Sequence, residues 1–298
     1  MTLPIAILFC VITMLGWGSW ANTQKLAGKE KWPFELFYWD YAIGVFLFSL
    51  LFAMIGGSFA VIGTFAITAL ISGAIFNLSN ILLVVGIDAA GMSVAFPIGV
   101  GLALVIGTVE SYLEAPKGNP SLLFAGVALI IFAMIMSAMA RQTQGKNRLR
   151  GLIFSVIAGC IMGLFYPQLM RAIGPDKLTP YVALVFFGAG VLLSNFIVNT
   201  VFMRAGGVTY ADYFRGSAKL HLIGILGGFI WMVALSLNVI ASGVAGPAIS
   251  YALGQGATLV AAIWGVFVWR EKGAISYTAL MFIGYASGLI MIGAATLQ

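Results

Sequence analysis

The sequence predicts an all-α polytopic membrane protein, with ten transmembrane helices in two inverted five-helix repeats. Three observations lead there. Of 298 residues, 61% are AVILMFWYC and 8% are DEKR, against about 45–50% and about 25% in soluble domains; mean hydropathy is +1.06. Apolar runs of about 20 residues, the length that crosses a bilayer, recur ten times. Glycines repeat at a separation of 155 residues: Gly73, Gly91, Gly99, Gly101 and Gly118 return as Gly228, Gly246, Gly254, Gly256 and Gly273. So few charges cannot cover a water-facing surface. That excludes a soluble enzyme, a disordered chain and a nucleic-acid binder. The net charge of +6 then belongs to loops that set orientation.

The spans run 3–22, 34–56, 64–86, 91–113, 120–140, 151–171, 180–203, 217–238, 246–268 and 275–297. The first lacks a basic leader and an A-x-A cleavage site, so it reads as a retained helix. It carries Trp17 and Trp20 at i, i+3, indoles that either stack on a solute or anchor the helix at the interface. In the second, Asp40 stands within Phe37-Tyr-Trp-Asp-Tyr41. A carboxylate in hydrocarbon is costly and by default functional, which makes Asp40 a proton-coupling candidate; the alternative is a pair with Lys25, Lys29 or Lys31. The third places Asn77 and Asn80 on one face at i, i+3, where amides suit a neutral polar solute or bind helix to helix. Glu110, near the outer end of the fourth, is a second coupling candidate or a solvated end charge.

In the sixth span Tyr166 and Gln168 flank Pro167, where a proline frees backbone carbonyls. The eighth opens on His221, the one histidine, read as a structural interfacial residue. It also carries Trp231, too deep for an interfacial belt. The ninth holds Tyr251 and Gln255 at i, i+4, with Gln255 between Gly254 and Gly256, where missing side chains would open space around its amide. The Gly-x-Gly pairs of the fourth and ninth spans read as close-packing surfaces. Cys10 and Cys160 lie in apolar stretches and read as structural thiols.

Loops 1–2, 5–6, 7–8 and 9–10 carry Lys25, Lys29, Lys31, Arg141, Lys146, Arg148, Arg150, Arg204, Arg215, Lys219, Arg270 and Lys272, twelve of the fifteen Lys and Arg. The positive-inside rule makes that side cytoplasmic, with both termini outside. The 155-residue offset also aligns Gly91–Gly101 with Gly246–Gly256, with Phe96 opposite Tyr251. It divides one membrane domain into repeats 1–145 and 146–298. Five helices per repeat is odd, so the second copy runs inverted, a device of secondary transporters that alternate access to a midplane site.

These residues resemble the drug/metabolite transporter superfamily. Gly16-Trp-Gly-Ser19 is similar to the signature of bacterial glucose/ribose-type sugar porters. Tyr38-Trp-Asp40-Tyr-Ala42, Asn80, Gly91-Met-Ser-Val94, Val105-Ile-Gly-Thr108, Tyr251-Ala252 and Trp264-Gly265 look like ureide permeases and their bacterial relatives. The resemblance implies carrier-type transport of small polar solutes, often with protons. The plant permeases' long insert with a phosphate-loop-like motif is missing here, so no nucleotide-dependent role carries over. No hydrolase, zinc or redox motif appears.

The expected protein is therefore not an enzyme and needs no cofactor or metal. It is a proton-coupled importer of an uncharged solute, such as a sugar or ureide-like heterocycle. Its partners are that solute, protons and the lipid bilayer, not nucleic acid, with a homodimer left open. The location is a bacterial inner membrane. An exporter of amphipathic metabolites or drugs is the alternative carrier; a non-transporting sensor or scaffold is the alternative from another class.

Overall fold

The computed structural model describes residues 1–56, 63–90, 92–140, 147–270 and 274–297. Gly91, Arg141, Lys146, Lys272 and Gly273 lie outside the described residues. Helix α1 (Leu3–Ser19) passes through a turn at Trp20 into α2 (Ala21–Lys29). Lys25 and Lys29 therefore ride on a helix rather than in a loop. The next spans are α3 (Phe34–Gly56), α4 (Thr64–Ala90), α5 (Met92–Glu114), α6 (Pro120–Ala140), α7 (Arg148–Arg171) and α8 (Pro180–Ala205). A one-turn helix α9 (Tyr210–Phe214), unforeseen in the sequence, precedes α10 (Ala218–Ala245). The expected ninth span is broken into α11 (Pro247–Gly254), α12 (Ala257–Ile263) and a π-helical turn, Trp264–Val268. Helix α13 (Ile275–Ala294) ends in a 3₁₀ turn. Nine helices among the described residues are long and apolar enough to cross a membrane.

Helix starts follow local chemistry. Asn119 and Asn147 accept backbone N–H bonds from Leu122 and Arg150, both at 3.1 Å, and Thr179 accepts from Val182. Proline opens α6, α8 and α11, where its missing N–H costs nothing. Thr209 and Asp212 cap α9 reciprocally, the capping-box arrangement. The Thr209 hydroxyl and backbone N–H hold the exposed Asp212 carboxyl below its usual range. The break in α11–α12 falls at Gln255–Gly256, between two glycines of poor helix propensity.

Two compact units emerge, and each draws on both halves of the sequence. Unit 1 is Met1–Gly18, Ser79–Pro167 and Leu237–Gln298; unit 2 is Ser19–Leu78 and Gln168–Ser236. Helices α4, α7 and α10 contribute to both.

In unit 2, glycines let helix backbones touch. A Cβ on Gly73 would lie 2.0 Å from the Phe187 carbonyl oxygen, and one on Gly228 2.0 Å from that of Tyr41. A Cβ on Gly44 would lie 2.2 Å from the Ile225 oxygen, and one on Gly190 2.0 Å from that of Leu70. These contacts come in matched pairs. Residues 70 and 225, like 73 and 228, are 155 apart; 41 and 187, like 44 and 190, are 146 apart. Thus α4 meets α8 as α10 meets α3. In unit 1, Asn119 N–H bonds the Ala295 oxygen at 3.0 Å and Ala274 N–H the Ala140 oxygen at 3.1 Å, again positions 155 apart. Helix association in membranes rests on such close packing rather than on a hydrophobic effect.

Candidate functional site

Unit 1 gathers four of the sequence candidates around α11. Tyr251 stacks on Tyr166, with centroids 4.8 Å apart at 28°. Trp17 and Phe165 meet it edge-on at 6.5 Å and 6.2 Å. The Tyr251 hydroxyl donates to the Ala103 oxygen at 3.4 Å, and Gln255 lies within hydrogen-bonding reach of the same phenol. Gly107 leaves the slot for this ring, since a Cβ there would stand 2.4 Å from Tyr251 Cε1. Asn238 donates Nδ2 to the Ser250 carbonyl at 2.8 Å, while its Oδ1 is buried with no partner among the described residues.

Gly254 fits between Trp17 and Asn238, at 2.8 Å and 2.9 Å from a would-be Cβ. The neighbours of Gly256 are Leu289 and Met14. The glycines around Gln255 are thus filled by neighbouring side chains, and do not open the free space expected from sequence. Their role as packing surfaces agrees with the sequence reading. The arrangement offers two stacked phenol faces, an indole edge and two amides, each almost fully buried.

In unit 2, Trp231 stacks on Phe76 at 4.2 Å and on Phe187 at 5.8 Å, and reaches Tyr41 edge-on at 6.5 Å. Trp20 lies 4.8 Å from the Tyr41 ring. Asn77 donates to Ser194 Oγ at 2.9 Å, and its Oδ1 is buried with no partner among the described residues. Asn80, also buried, belongs to unit 1. Gln168 accepts from Arg171 at 3.0 Å in an exposed pair, apart from the buried Tyr166. Glu110 is half-buried on α5.

Asp40 is completed by residues that the sequence did not connect to it. Its side chain is 1% exposed. His221 Nδ1 lies 2.9 Å and 3.0 Å from its two oxygens, and the Tyr213 hydroxyl donates to Oδ1 at 2.5 Å. Gly224 makes room, because a Cβ there would sit 2.4 Å from that of Asp40. Burial and the adjoining carboxylate push the Tyr213 phenol up, so it stays a donor. The carboxylate thus has imidazole and phenol partners where a lysine was the alternative expectation. His221, expected to be structural, is part of a charged cluster.

The sequence profile of a family described as "Sugar transport protein" matches residues 8–298. The chain belongs to this family. Its members are transport proteins, not enzymes. A Listeria monocytogenes protein assigned to sugar uptake is 25% identical over 98% of each chain. The glucose uptake protein GlcU of Bacillus subtilis is 22% identical, over 77% of this chain and 76% of that one. A solved crystal structure aligns with a TM-score of 0.67 at 14% identity, over 96% of this chain and 95% of that chain, which shows the fold. Among the described residues no group of three His, Cys, Asp or Glu could hold a metal ion.

Members of the polar set that sequence reasoning passed over are Asn195, Asn199, Asn238 and Tyr213. Asn199 Nδ2 donates to the Glu35 carbonyl at 2.8 Å, with its Oδ1 unpartnered. Asn195, one turn earlier on α8, has neither amide atom paired among the described residues although the side chain is wholly buried. The signal was present: two amides at i, i+4 inside an otherwise apolar 180–203 run.

Proposed function

We propose that this chain imports a neutral sugar by proton-coupled secondary transport. The observation that carries the reading is the Trp17–Tyr166–Asn238–Tyr251–Gln255 cluster. A sugar presents hydroxyls that need amide donors and acceptors, and apolar C–H faces that pack on aromatic rings. A mostly apolar, amide-poor lining would have favoured export of amphipathic compounds. The names of the Listeria and Bacillus relatives support uptake and a sugar, and Asp40 supports the proton. Matched contacts at offsets of 155 and 146 support the inverted-repeat reading, in which two conformations exchanged between the halves alternate access.

Counterflow of labelled D-glucose in vesicles reconstituted with the purified protein tests this. The parent is expected to exchange glucose and, under an inward proton gradient, to concentrate it. Tyr251→Phe and Gln255→Ala are expected to stay folded and to lose up to about tenfold in affinity, the cost of one hydrogen bond. Parent-like affinity in both variants would remove the unit 1 cluster from the site. Absence of exchange with glucose and other neutral sugars would overturn the sugar reading.

A further inference from the structure

We propose that Asp40 and His221 together form one proton-binding site, loaded through His221 Nε2 and closed by Tyr213 from α9. The inference rests on the proton-coupled reading above and assigns its site. The hydrogen-bonding neighbours of Nδ1 among the described residues are the two oxygens of Asp40; with Asp40 ionised these can only accept, so Nδ1 carries a hydrogen and donates it. In the neutral imidazole the other nitrogen, Nε2, is then a bare acceptor. The Tyr213 hydroxyl donates to the same carboxylate, and the cluster carries one negative charge.

Loading adds one proton from water to the Nε2 lone pair. An N–H bond forms, no bond within the cluster breaks, and the product is an imidazolium facing a carboxylate with no net charge. Unloading is the reverse. Neutralising a charge at membrane depth removes most of the cost of moving it, which is what coupling requires.

Access to Nε2 is built in. The His221 side chain is 23% exposed while that of Asp40 is 1% exposed. Gly216 adjoins the nitrogen, and a Cβ there would stand 2.7 Å from Nε2 and 2.5 Å from Trp32. The imidazole thus bridges a buried carboxylate and the surface. Other charged groups on the adjoining elements are largely committed to one another: Lys219 binds Glu30 at 2.9 Å and Arg215 binds Asp212 at 3.4 Å. On α3 itself the titratable neighbours are Glu35, Tyr38 and Tyr41; Lys25 is on α2 and Arg204 at the end of α8. Tyr213 stands on the one-turn α9, held by its own capping box, a small element that can withdraw without breaking a span.

His221 is the single histidine, so nitrogen-15 labelling of histidine gives imidazole signals that need no assignment. At alkaline pH the parent is expected to show hydrogen on Nδ1 and a bare Nε2, and Asp40→Asn to lose that tautomer preference. A parent with hydrogen on Nε2 and a bare Nδ1 overturns the proposal, whatever sugar is carried. In vesicles loaded with a pH dye and given D-glucose, His221→Asn is expected to lose sugar-driven proton movement. One pH unit drives about a tenfold sugar ratio for one proton; the variant should fall to a ratio near one. Tyr213→Phe should raise proton leak without sugar. If His221→Asn still concentrates glucose, the two-residue site is wrong while the coupled reading stands. If the parent exchanges glucose but ignores the pH gradient, both fall.

Discussion

Gly73→Ala and Gly228→Ala, with Gly190→Ala, are expected to be among the most damaging small substitutions in this protein. Each would drive a methyl to within 2.0 Å of a backbone carbonyl oxygen on the facing helix. A side chain in that place could turn aside, but a carbonyl fixed in a helix can only move with its helix. Overpacking that neighbours can absorb costs about 1–3 kcal/mol; with the obstacle in the backbone the expected cost is at the top of that range or beyond. Gly243→Ala is the control, because a Cβ there meets nothing within 4 Å. Inside α10 it should stabilise by roughly 0.5–1 kcal/mol through helix propensity. Thermal unfolding in detergent, read by tryptophan fluorescence, separates the cases. Equal melting temperatures for Gly228→Ala and Gly243→Ala would mean that α3 and α10 are not in backbone contact.

Asn195→Leu should do the opposite to stability and still abolish uptake. Both amide atoms are buried and neither has a partner among the described residues, and an unmet buried polar group costs about 1–3 kcal/mol. An isosteric apolar side chain removes that cost, so the melting temperature should rise. Such a cost is retained where the group serves a ligand or a moving state. Loss of glucose exchange together with a higher melting temperature is therefore the expected pair of results. Unchanged exchange would make Asn195 a packing residue, and a lower melting temperature would mean that the amide has a partner after all.

Both expectations rest on features with unequal visibility in the sequence. The offset of 155 was legible because α4 and α10 each present glycine where a neighbouring backbone approaches. The offset of 146 between α3 and α8 was not, since Gly44 and Gly190 are matched by contacts rather than by surrounding residue types. The candidate site divides in the same way. Trp17, Tyr166, Tyr251 and Gln255 stood out as polar or aromatic groups at depth, and they do meet in one cluster. Trp20, Asn77 and Trp231 lie in unit 2, Asn80 in unit 1, and Gln168 faces an exposed arginine. Asn195 and Asn199 carried a signal that was passed over, two amides at i, i+4 in one span, whereas Asn238 is a lone amide with no spacing rule to announce it.

The membrane class, the span lengths and most helix boundaries could be read from the residues alone, because each follows from local quantities: hydropathy over about 20 residues, a proline at a first turn, an Asn or Thr cap. The residues also show that Asp40 needs an explanation, since an ionisable group at that depth is costly wherever it stands. What satisfies it became visible in the folded chain. The pairing with Tyr213 and His221 joins residues 173 and 181 positions away, and no local pattern encodes so distant a contact. The glycines at the Gln255–Gly256 break weaken the helix locally, but what fills the space beside Gly256 was decided by packing. Apolar content is the same for a continuous and a broken span, whereas Leu289 and Met14 fit against Gly256 only because no side chain occupies that place.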